Sequence, residues 1–528
     1  MSSDTSKSLL RGVSVLSIAG ILCKLIGLFF TVPLTRIIGS EGLGIYQSVY
    51  PTYNLLLTLS SAGLPVAVSR MVSQYLAKDD PRNAHHVFTT ALCLLTGLGS
   101  LCMFLMLAGN TALTNWVHEP RASLGFTAIA PCLALVCALS ALRGFMQGQQ
   151  NMRPTAVSQI VEQAAKVVFS LPLAWFGTRR SMALGAAGAL FGITLSEACA
   201  TAVVASVYFH NKKQYNALPQ LSSEPYASTG SLAKKLLLIS IPITISACIV
   251  PLAQFVDSVM MVPRMMNAGM TNSVARSLYG VFSGLVIRLI NVPTALALAI
   301  AMSLVPAVSS AQALHDREGM RTACDQGLRM AFAIGFPCSI GMSVLAKQIF
   351  GFLYLESLSP NQFQTGWELL TVSSLTIVLF TVVQATSGIL QGIGKQRIPM
   401  YTLIAGVSCK IVMNYILVGI PEINIHGGPI ASITCYTVSL VPNLYFVCKY
   451  AHLRVNFRDW MLKPVLASAA MGIPVWILSR ILPFNRFFTL LEVAVGILIY
   501  AFAAVRLRIL SPENLRLITN RLHIKGRK

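Results

Sequence analysis

Four basic residues fall inside otherwise apolar runs of this chain: Lys24, Lys166, Arg288 and Lys410. Two acidic residues, Glu162 and Asp257, do the same. An ionised group near the centre of a hydrocarbon layer costs about 3 kcal/mol or more unless it meets protein or water. These six residues therefore carry the chemistry that needs explaining. Ammonium and guanidinium groups gathered together hold phosphates and carboxylates, whereas a pocket for an organic cation would present carboxylates. The excess here is positive, which favours an anionic substrate. For any one of the cations, snorkelling or a hidden ion pair is the competing reading; the set argues more strongly than any member. Glu162 and Lys166 stand four apart, in the order that favours an ion pair on one helix face. Asp257 reads either as a cation-exchange site or as a buried partner of Arg264 or Arg36.

The elements that must position these residues are membrane-spanning helices. Of the 528 residues, 55% are hydrophobic and 11% charged, and mean hydropathy is +0.67. A soluble chain of this length does not have such a composition. About 14 apolar runs recur along the chain, each long enough to cross roughly 30 Å of hydrocarbon as a helix. The first run is too long for a cleavable signal and lacks a small-residue cleavage site, so it is expected to remain as a helix. With the amino terminus placed inside, most of the 40 Lys and Arg fall on inner loops and termini, which is the positive-inside pattern. That pattern predicts a multi-pass membrane protein with both termini in the cytoplasm. The net charge of +22 follows from it, and the basic tail reads as an orientation signal and a contact for anionic lipid. No nucleic-acid partner is expected.

The chain is also duplicated. Gly144, Gln147, Gly148, Arg153 and Lys166 recur in order as Gly388, Gln391, Gly392, Arg397 and Lys410. "LPVAVS" at Leu64 returns as "LVPAVS" at Leu304, and "GALFGIT" at Gly188 as "GPIASIT" at Gly428. Gly406 occupies the position of Glu162, so Lys410 needs water, another helix or an anion where Lys166 has a carboxylate. The expected organisation is an all-α membrane protein in which two parallel six-helix repeats, 1–225 and 226–455, surround a central cavity. Two further helices (456–510) and a basic tail (511–528) follow. Parallel repeats related by an axis along the membrane normal are a usual basis of alternating access. Helices 2 and 8 are long and interrupted, at Gly63 and Pro65 and at Pro293 and Pro306; these are the candidate hinges.

Several chemistries are disfavoured. "GILQGIGK" has the wrong glycine spacing for a phosphate loop, lacks a Ser or Thr after Lys395 and has no preceding strand. The 12 Cys are scattered without a C-x-x-C pair and the eight His do not cluster, so neither disulfide framework nor metal site is expected. No cofactor is expected, and energy would come from an ion gradient, the membrane potential or the substrate gradient. An enzyme of glycan assembly would need acidic catalytic residues or a large extramembrane domain, which are lacking.

The segments "SIAGILCKLIGLFFTVPLTRIIGSEGLGIYQ" (from Ser17), "IPITISACIVPLAQFVDSVMM" (from Ile241), "LYG" (from Leu278) and "RLINVPTALALAIAMSLVPAVSSA" (from Arg288) resemble the stage V sporulation protein B family of polysaccharide-biosynthesis proteins. That family is part of the multidrug, oligosaccharidyl-lipid and polysaccharide exporter superfamily, alongside lipid II flippases of the MurJ type. The resemblance implies a flippase for undecaprenyl-pyrophosphate-linked peptidoglycan precursor, serving wall growth or sporulation. It implies that Lys24 stands where the flippase branch has an essential arginine in helix 1, and that Arg288 matches its helix 8 arginine. Phe30 and Leu57 stand where that branch has further basic residues, so the cationic site here would draw on Lys166 or Lys410. The expected partners are the lipid-linked glycan, membrane lipids and a coupling cation. The alternatives are a multidrug and toxin exporter of the same superfamily, or a flippase for another lipid-linked polysaccharide unit.

Overall fold

The computed structural model describes residues 3–216, 227–453 and 456–509. The side chains at 3–21, 24, 25, 212–216, 242, 246, 295, 299 and 302 lie outside the described residues, as does the basic tail. Only helices and turns occur among the described residues. A spanning backbone has no water to bond, so each segment must close its own hydrogen bonds. The first half of the chain forms α1 (Ser3–Ser61), α2 (Leu64–Leu76), α3 (Pro81–Ala108), α4 (Asn110–Trp116), α5 (Ser123–Gly148), α6 (Arg153–Thr178), α7 (Met182–Asn216), α8 (Thr229–Asn267) and α9 (Asn272–Tyr279). A π-helical segment (Gly280–Val286) leads into α10 (Ile287–Ala313) and α11 (Arg317–Val344). There follow α12 (Ala346–Tyr354), α13 (Pro360–Ser373), α14 (Leu375–Gly392), α15 (Arg397–Leu417), α16 (Gly427–Tyr450), α17 (Lys463–Ile481) and α18 (Arg486–Arg506).

Twelve helices among the described residues are long and apolar enough to span a membrane, so the expected number of about 14 is not reproduced. Two features account for this. The first is that the first two apolar runs are two helices meeting at a kink, where Gly39 has φ 64° and ψ −178°, and they count as one element. The second is α6, which carries Glu162 and Lys166 and is not apolar enough to count.

Local signals set the helix ends. Asp80 caps α3 by accepting from the Asn83 amide at 3.0 Å, with Pro81 as the first helical residue. Ser359 and Gln362 form a reciprocal capping box on α13, satisfying two otherwise orphan donors. The expected break in helix 2 falls between Ser61 and Leu64. There the Gly63 amide donates to Thr244 Oγ1 of α8 at 3.1 Å, and a Cβ would lie 2.2 Å from the Ser240 carbonyl oxygen. In helix 8 the outcome differs: α10 stays helical through Pro293 and Pro306. The departure from α geometry is the π segment upstream, which absorbs the strain with one wider turn.

Packing divides the chain into two compact units, residues 1–284 with 418–425, and residues 285–417 with 426–528. This partition differs from the sequence duplication, because α8 packs on α1, α2 and α3. In the first unit a core of Leu64, Val68, Phe88, Leu142, Phe145 and Leu236 joins α2, α3, α5 and α8. In the second, Leu304, Leu328, Phe332, Val382, Ile389 and Trp460 join α10, α11, α14 and the start of the 458–481 span.

The duplicated glycines pack alike in both units. A Cβ on Gly144 of α5 would lie 2.9 Å from the Pro65 carbonyl oxygen of α2, and one on Gly388 of α14 would lie 2.8 Å from the Ala301 carbonyl oxygen of α10. Gly148 meets Val72 in the first unit as Gly392 meets Val308 in the second, at 2.7 and 2.8 Å. The glycine step lets two helices approach backbone to backbone. Gly144→Leu and Gly388→Leu should each cost about 1–3 kcal/mol by overpacking, read as similar falls in the thermal midpoint of the purified protein. A midpoint unchanged by either would show that this helix pair separates freely.

Candidate functional site

In the first unit the ionisable residues of the spans gather on α1, α5, α6 and α7. Lys24 belongs to α1, with its side chain outside the described residues. Glu162 lies one face in on α6, and its Oε2 accepts from Arg143 Nη2 of α5 at 3.0 Å. Its Oε1 accepts from Gln163 Nε2 at 3.2 Å. Arg143 Nε also donates to Ser158 Oγ at 3.0 Å, so the guanidinium is held in a fixed orientation. Lys166, one turn along α6, places its ammonium 5.0 Å from the centre of the Phe30 ring, within the range at which the ring face attracts a cation. Beside them Glu197 of α7 is 8% exposed, and its Oε2 has no hydrogen-bond partner among the described residues. Tyr53 of α1 and Cys132 of α5 bond to one another at 3.1 Å at the edge of this cluster.

A second ionic assembly lies where α1 bends. Arg276 of α9 is wholly buried. Its Nε is 2.5 Å from Glu119 Oε2, Nη1 donates to Ser48 Oγ at 2.7 Å, and Nη2 donates to the His118 carbonyl oxygen at 2.9 Å. Arg121 donates through Nε to Glu119 Oε1 at 2.8 Å and through Nη1 to Glu41 Oε1 at 2.8 Å. Burial pushes the Glu119 carboxyl up, but the Arg121 hydrogen bond and the charges of Arg276 and Arg121 outweigh it and hold the group below its ordinary value. The helices meet tightly at this point, since a Cβ at Gly44 would lie 2.3 Å from the Arg276 carbonyl oxygen. By sequence Glu41 and Glu119 belong to the first repeat and Arg276 to the second.

In the second unit Arg288 begins α10 directly after the π segment. Its charge acts on Tyr354, a buried residue of α12 whose hydroxyl has no hydrogen-bond partner. Close by, a cavity of about 70 Å³ is lined by Asn291, Thr294, Ser373, Thr376, Ser432 and Tyr436, among others. It is small, and Ile287, Ile290 and Phe380 complete a mixed polar and apolar lining. Lys410 lies on α15, one turn before the buried Asn414. Asp257 lies on α8 and its charge acts on the buried Tyr279.

The structure thus brings Glu162 and Lys166 together in the first unit and places Arg288 and Lys410 in the second. Sequence reasoning did not single out Arg143, Glu197, Glu119 or Arg276. Arg143 heads the duplicated motif, but its counterpart is Ser387, and that substitution, paired with Gly406 for Glu162, is the signal that could have revealed the ion pair. Glu119 and Arg276 are far apart in sequence and sit at helix ends, where charge is ordinary.

Leaving one member of a buried ion pair without the other costs about 3–5 kcal/mol. Glu119→Gln should therefore lower the thermal midpoint at neutral pH, and Arg276→Met with Glu119→Met should recover much of the loss. Because the folded carboxyl is depressed, its contribution is complete above the ordinary carboxylate range and disappears as pH falls through the lowered value. Thermal midpoints measured against pH should fall steeply in acid for the wild type and more gently for Glu119→Gln. Parallel curves would remove Glu119 as the stabilising group.

The chain matches the family model described as polysaccharide biosynthesis protein over residues 9–312, more than half its length, and the MatE model over residues 242–416. It is 26% identical to the lipid II flippase MurJ of Bacillus subtilis (strain 168) over 501 residues, covering 91% of this chain and 90% of the relative. Stage V sporulation protein B of the same organism is 24% identical over 459 residues, covering 86% of each. Among solved structures, a lipid II flippase MurJ in an inward closed conformation superposes with a TM-score of 0.71 and 13% identity, over 93% of this chain and 98% of the other. An inward-facing multidrug resistance transporter superposes with a TM-score of 0.67 and 16% identity, over 82% of this chain and 96% of the other. The two solved structures are of a flippase and a transporter, and the fold they share is the one described above. The chain is a multi-pass membrane protein that belongs to the polysaccharide biosynthesis protein family, within the exporter superfamily that also holds the MurJ flippases and the MATE transporters.

Proposed function

We propose that this protein is a flippase for a lipid-linked oligosaccharide in the bacterial cytoplasmic membrane, with undecaprenyl-pyrophosphate-linked peptidoglycan precursor as its substrate. The observation that carries the reading is the sign of the charge on the spanning helices: Lys24, Lys166, Arg288 and Lys410 are all cations, suited to a pyrophosphate head. The full-length relation to a lipid II flippase supports it. So does the reach of the superposition, since the flippase structure covers 93% of the chain where the multidrug transporter covers 82%. The helices beyond the duplication, α17 and α18, contribute to that difference in this reading and accommodate the lipid tail.

The mechanism proposed is alternating access between two repeats, 1–225 and 226–455. Lys24 and Arg288 hold the pyrophosphate, with Lys166 and Lys410 completing the cationic set. Gly63, Pro65, Pro293 and Pro306 serve as hinge positions, and both termini lie in the cytoplasm. In that orientation the Glu119–Arg276 pair is at the outer side and joins the first repeat to the second, so it must part when the substrate head is released outside. Asp257 and Glu162 are the acidic candidates for ion coupling.

The test is reconstitution into liposomes with fluorescent lipid II in the inner leaflet and an impermeant quencher outside. Wild type should expose the label quickly. Loss of one charged contact is worth about 1.5–3 kcal/mol, so Arg288→Ala and Lys166→Ala should each slow exposure about tenfold to a hundredfold at equal protein incorporation. Unchanged flipping would remove that residue from the substrate site. A second reading, export of drugs, is favoured by the MatE match. Increased drug sensitivity of a deletion strain, with no flipping in liposomes, would establish it instead.

A further inference from the structure

We infer that Glu197 is a proton-binding site, neutral in the conformation described here and ionised when the cluster around it is hydrated. The inference deepens the flippase reading by naming the coupling ion. Four observations lead to it. Glu197 lies at the midpoint of the Met182–Asn211 span, is 8% exposed, and leaves Oε2 without a partner among the described residues. An ionised carboxylate in that position would lack the hydrogen bonds that make burial of charge tolerable, whereas the neutral acid is far less costly.

The neighbouring charges do not remedy this. Those that act on Glu197 are Glu162, Arg143 and Lys166. Arg143 is already committed to Glu162 and Ser158, and Lys166 lies over the Phe30 ring. From α1, Tyr53 faces the group, and from α5, Cys132 does, the two bonded to each other. Cys23 of α1 stands nearer Glu162 and Arg143 and donates to the Gln159 carbonyl oxygen. A hard metal cation needs several oxygen ligands, and no group of three His, Cys, Asp or Glu able to hold one occurs among the described residues, while a proton needs a single carboxyl oxygen. A proton is therefore the ligand the chemistry selects over sodium.

The duplication supplies the fourth observation. The second copy has Ser387, Gly406 and Thr437 where the first has Arg143, Glu162 and Glu197. At Gly406 the helices close so tightly that a Cβ would lie 2.4 Å from both the Cys435 carbonyl oxygen and Ser439 Oγ of α16. The same helical scaffold is thus built without any of the three, so the fold does not require them. Of the charged residues of this cluster, Arg143, Glu162, Lys166 and Glu197, the lysine alone is kept in both copies, as Lys410.

Proton binding that differs between two conformations couples their equilibrium to pH by linkage. Protonated Glu197 favours the described packing, and release of the proton to water favours the alternative.

The test uses infrared difference spectroscopy on the purified full-length protein in lipid, titrated through neutral and alkaline pH. The wild type should show a protonated-carboxyl carbonyl band that disappears on alkalinisation. The band should be absent from Glu197→Gln and retained in Glu162→Gln. A band that survives Glu197→Gln, or a wild type without a titrating carboxyl band, overturns the assignment. In the liposome assay the wild-type leaflet distribution of fluorescent lipid II should respond to an imposed pH difference, by up to about tenfold per pH unit for one proton, and Glu197→Gln should flip without that response. A wild type that flips lipid II indifferently to the pH difference overturns the coupling. A wild type that does not flip lipid II counts against the substrate, and the infrared result still decides the proton site.

Discussion

A charge placed in the hydrocarbon layer must be met inside the protein, and the rest of this structure follows from that constraint. Backbone groups meet it by closing into helices, which is why the described residues hold little else. Side chains meet it in three different ways here. Arg276 is met by a carboxylate, a hydroxyl and a carbonyl, which satisfies nearly every donor of its guanidinium. Lys166 is met by an aromatic face. Glu197 is met by no hydrogen bond at Oε2, so the economical response of the molecule is to keep that group neutral.

Pairing and packing do different work in the two assemblies of the first unit. Around Glu119 the ion pair is fully dressed with hydrogen bonds and sits against a glycine contact that brings α9 and α1 together. Such an arrangement is rigid while assembled and costly to leave half made. The α6 and α7 cluster is the opposite case. Its carboxylates are unequal, one fixed by Arg143 and one lacking a partner at Oε2, so a small change in hydration shifts its protonation before it shifts its packing.

Much of the frame was legible in the sequence. Apolar run length gave the membrane class, and the duplicated glycines gave a helix contact that recurs in both units at closely similar distances. The break beside Gly63 was legible because glycine and proline stand together there. In helix 8 the backbone stays helical through Pro293 and Pro306, and the π segment at Gly280–Val286 has no proline to announce it. The exact span count is not confirmed, because α1 joins two helices at the Gly39 kink and the charges on α6 lower its hydropathy. Partners of the ionic residues were the least legible of all. Spacing on one helix suggests Lys166 for Glu162, and the packing of α5 against α6 adds Arg143.

The duplication separates what a position does for the fold from what it does beyond the fold. Where both copies keep a residue type, as at Gly144 and Gly388, the same contact is rebuilt and packing accounts for it. Where both keep a lysine, as at Lys166 and Lys410, packing does not demand the charge, because the surroundings differ: a carboxylate four residues before one and a glycine before the other. A cation retained across such a change is one selected for something outside the repeat itself, and an anion presented to both copies satisfies that description. Where only one copy holds charge, as at Arg143, Glu162 and Glu197, the frame has been shown by its twin to stand without it. The asymmetry therefore sets the first unit apart: an ion pair that fixes Arg143, and beside it a buried carboxyl with no hydrogen bond at Oε2 among the described residues.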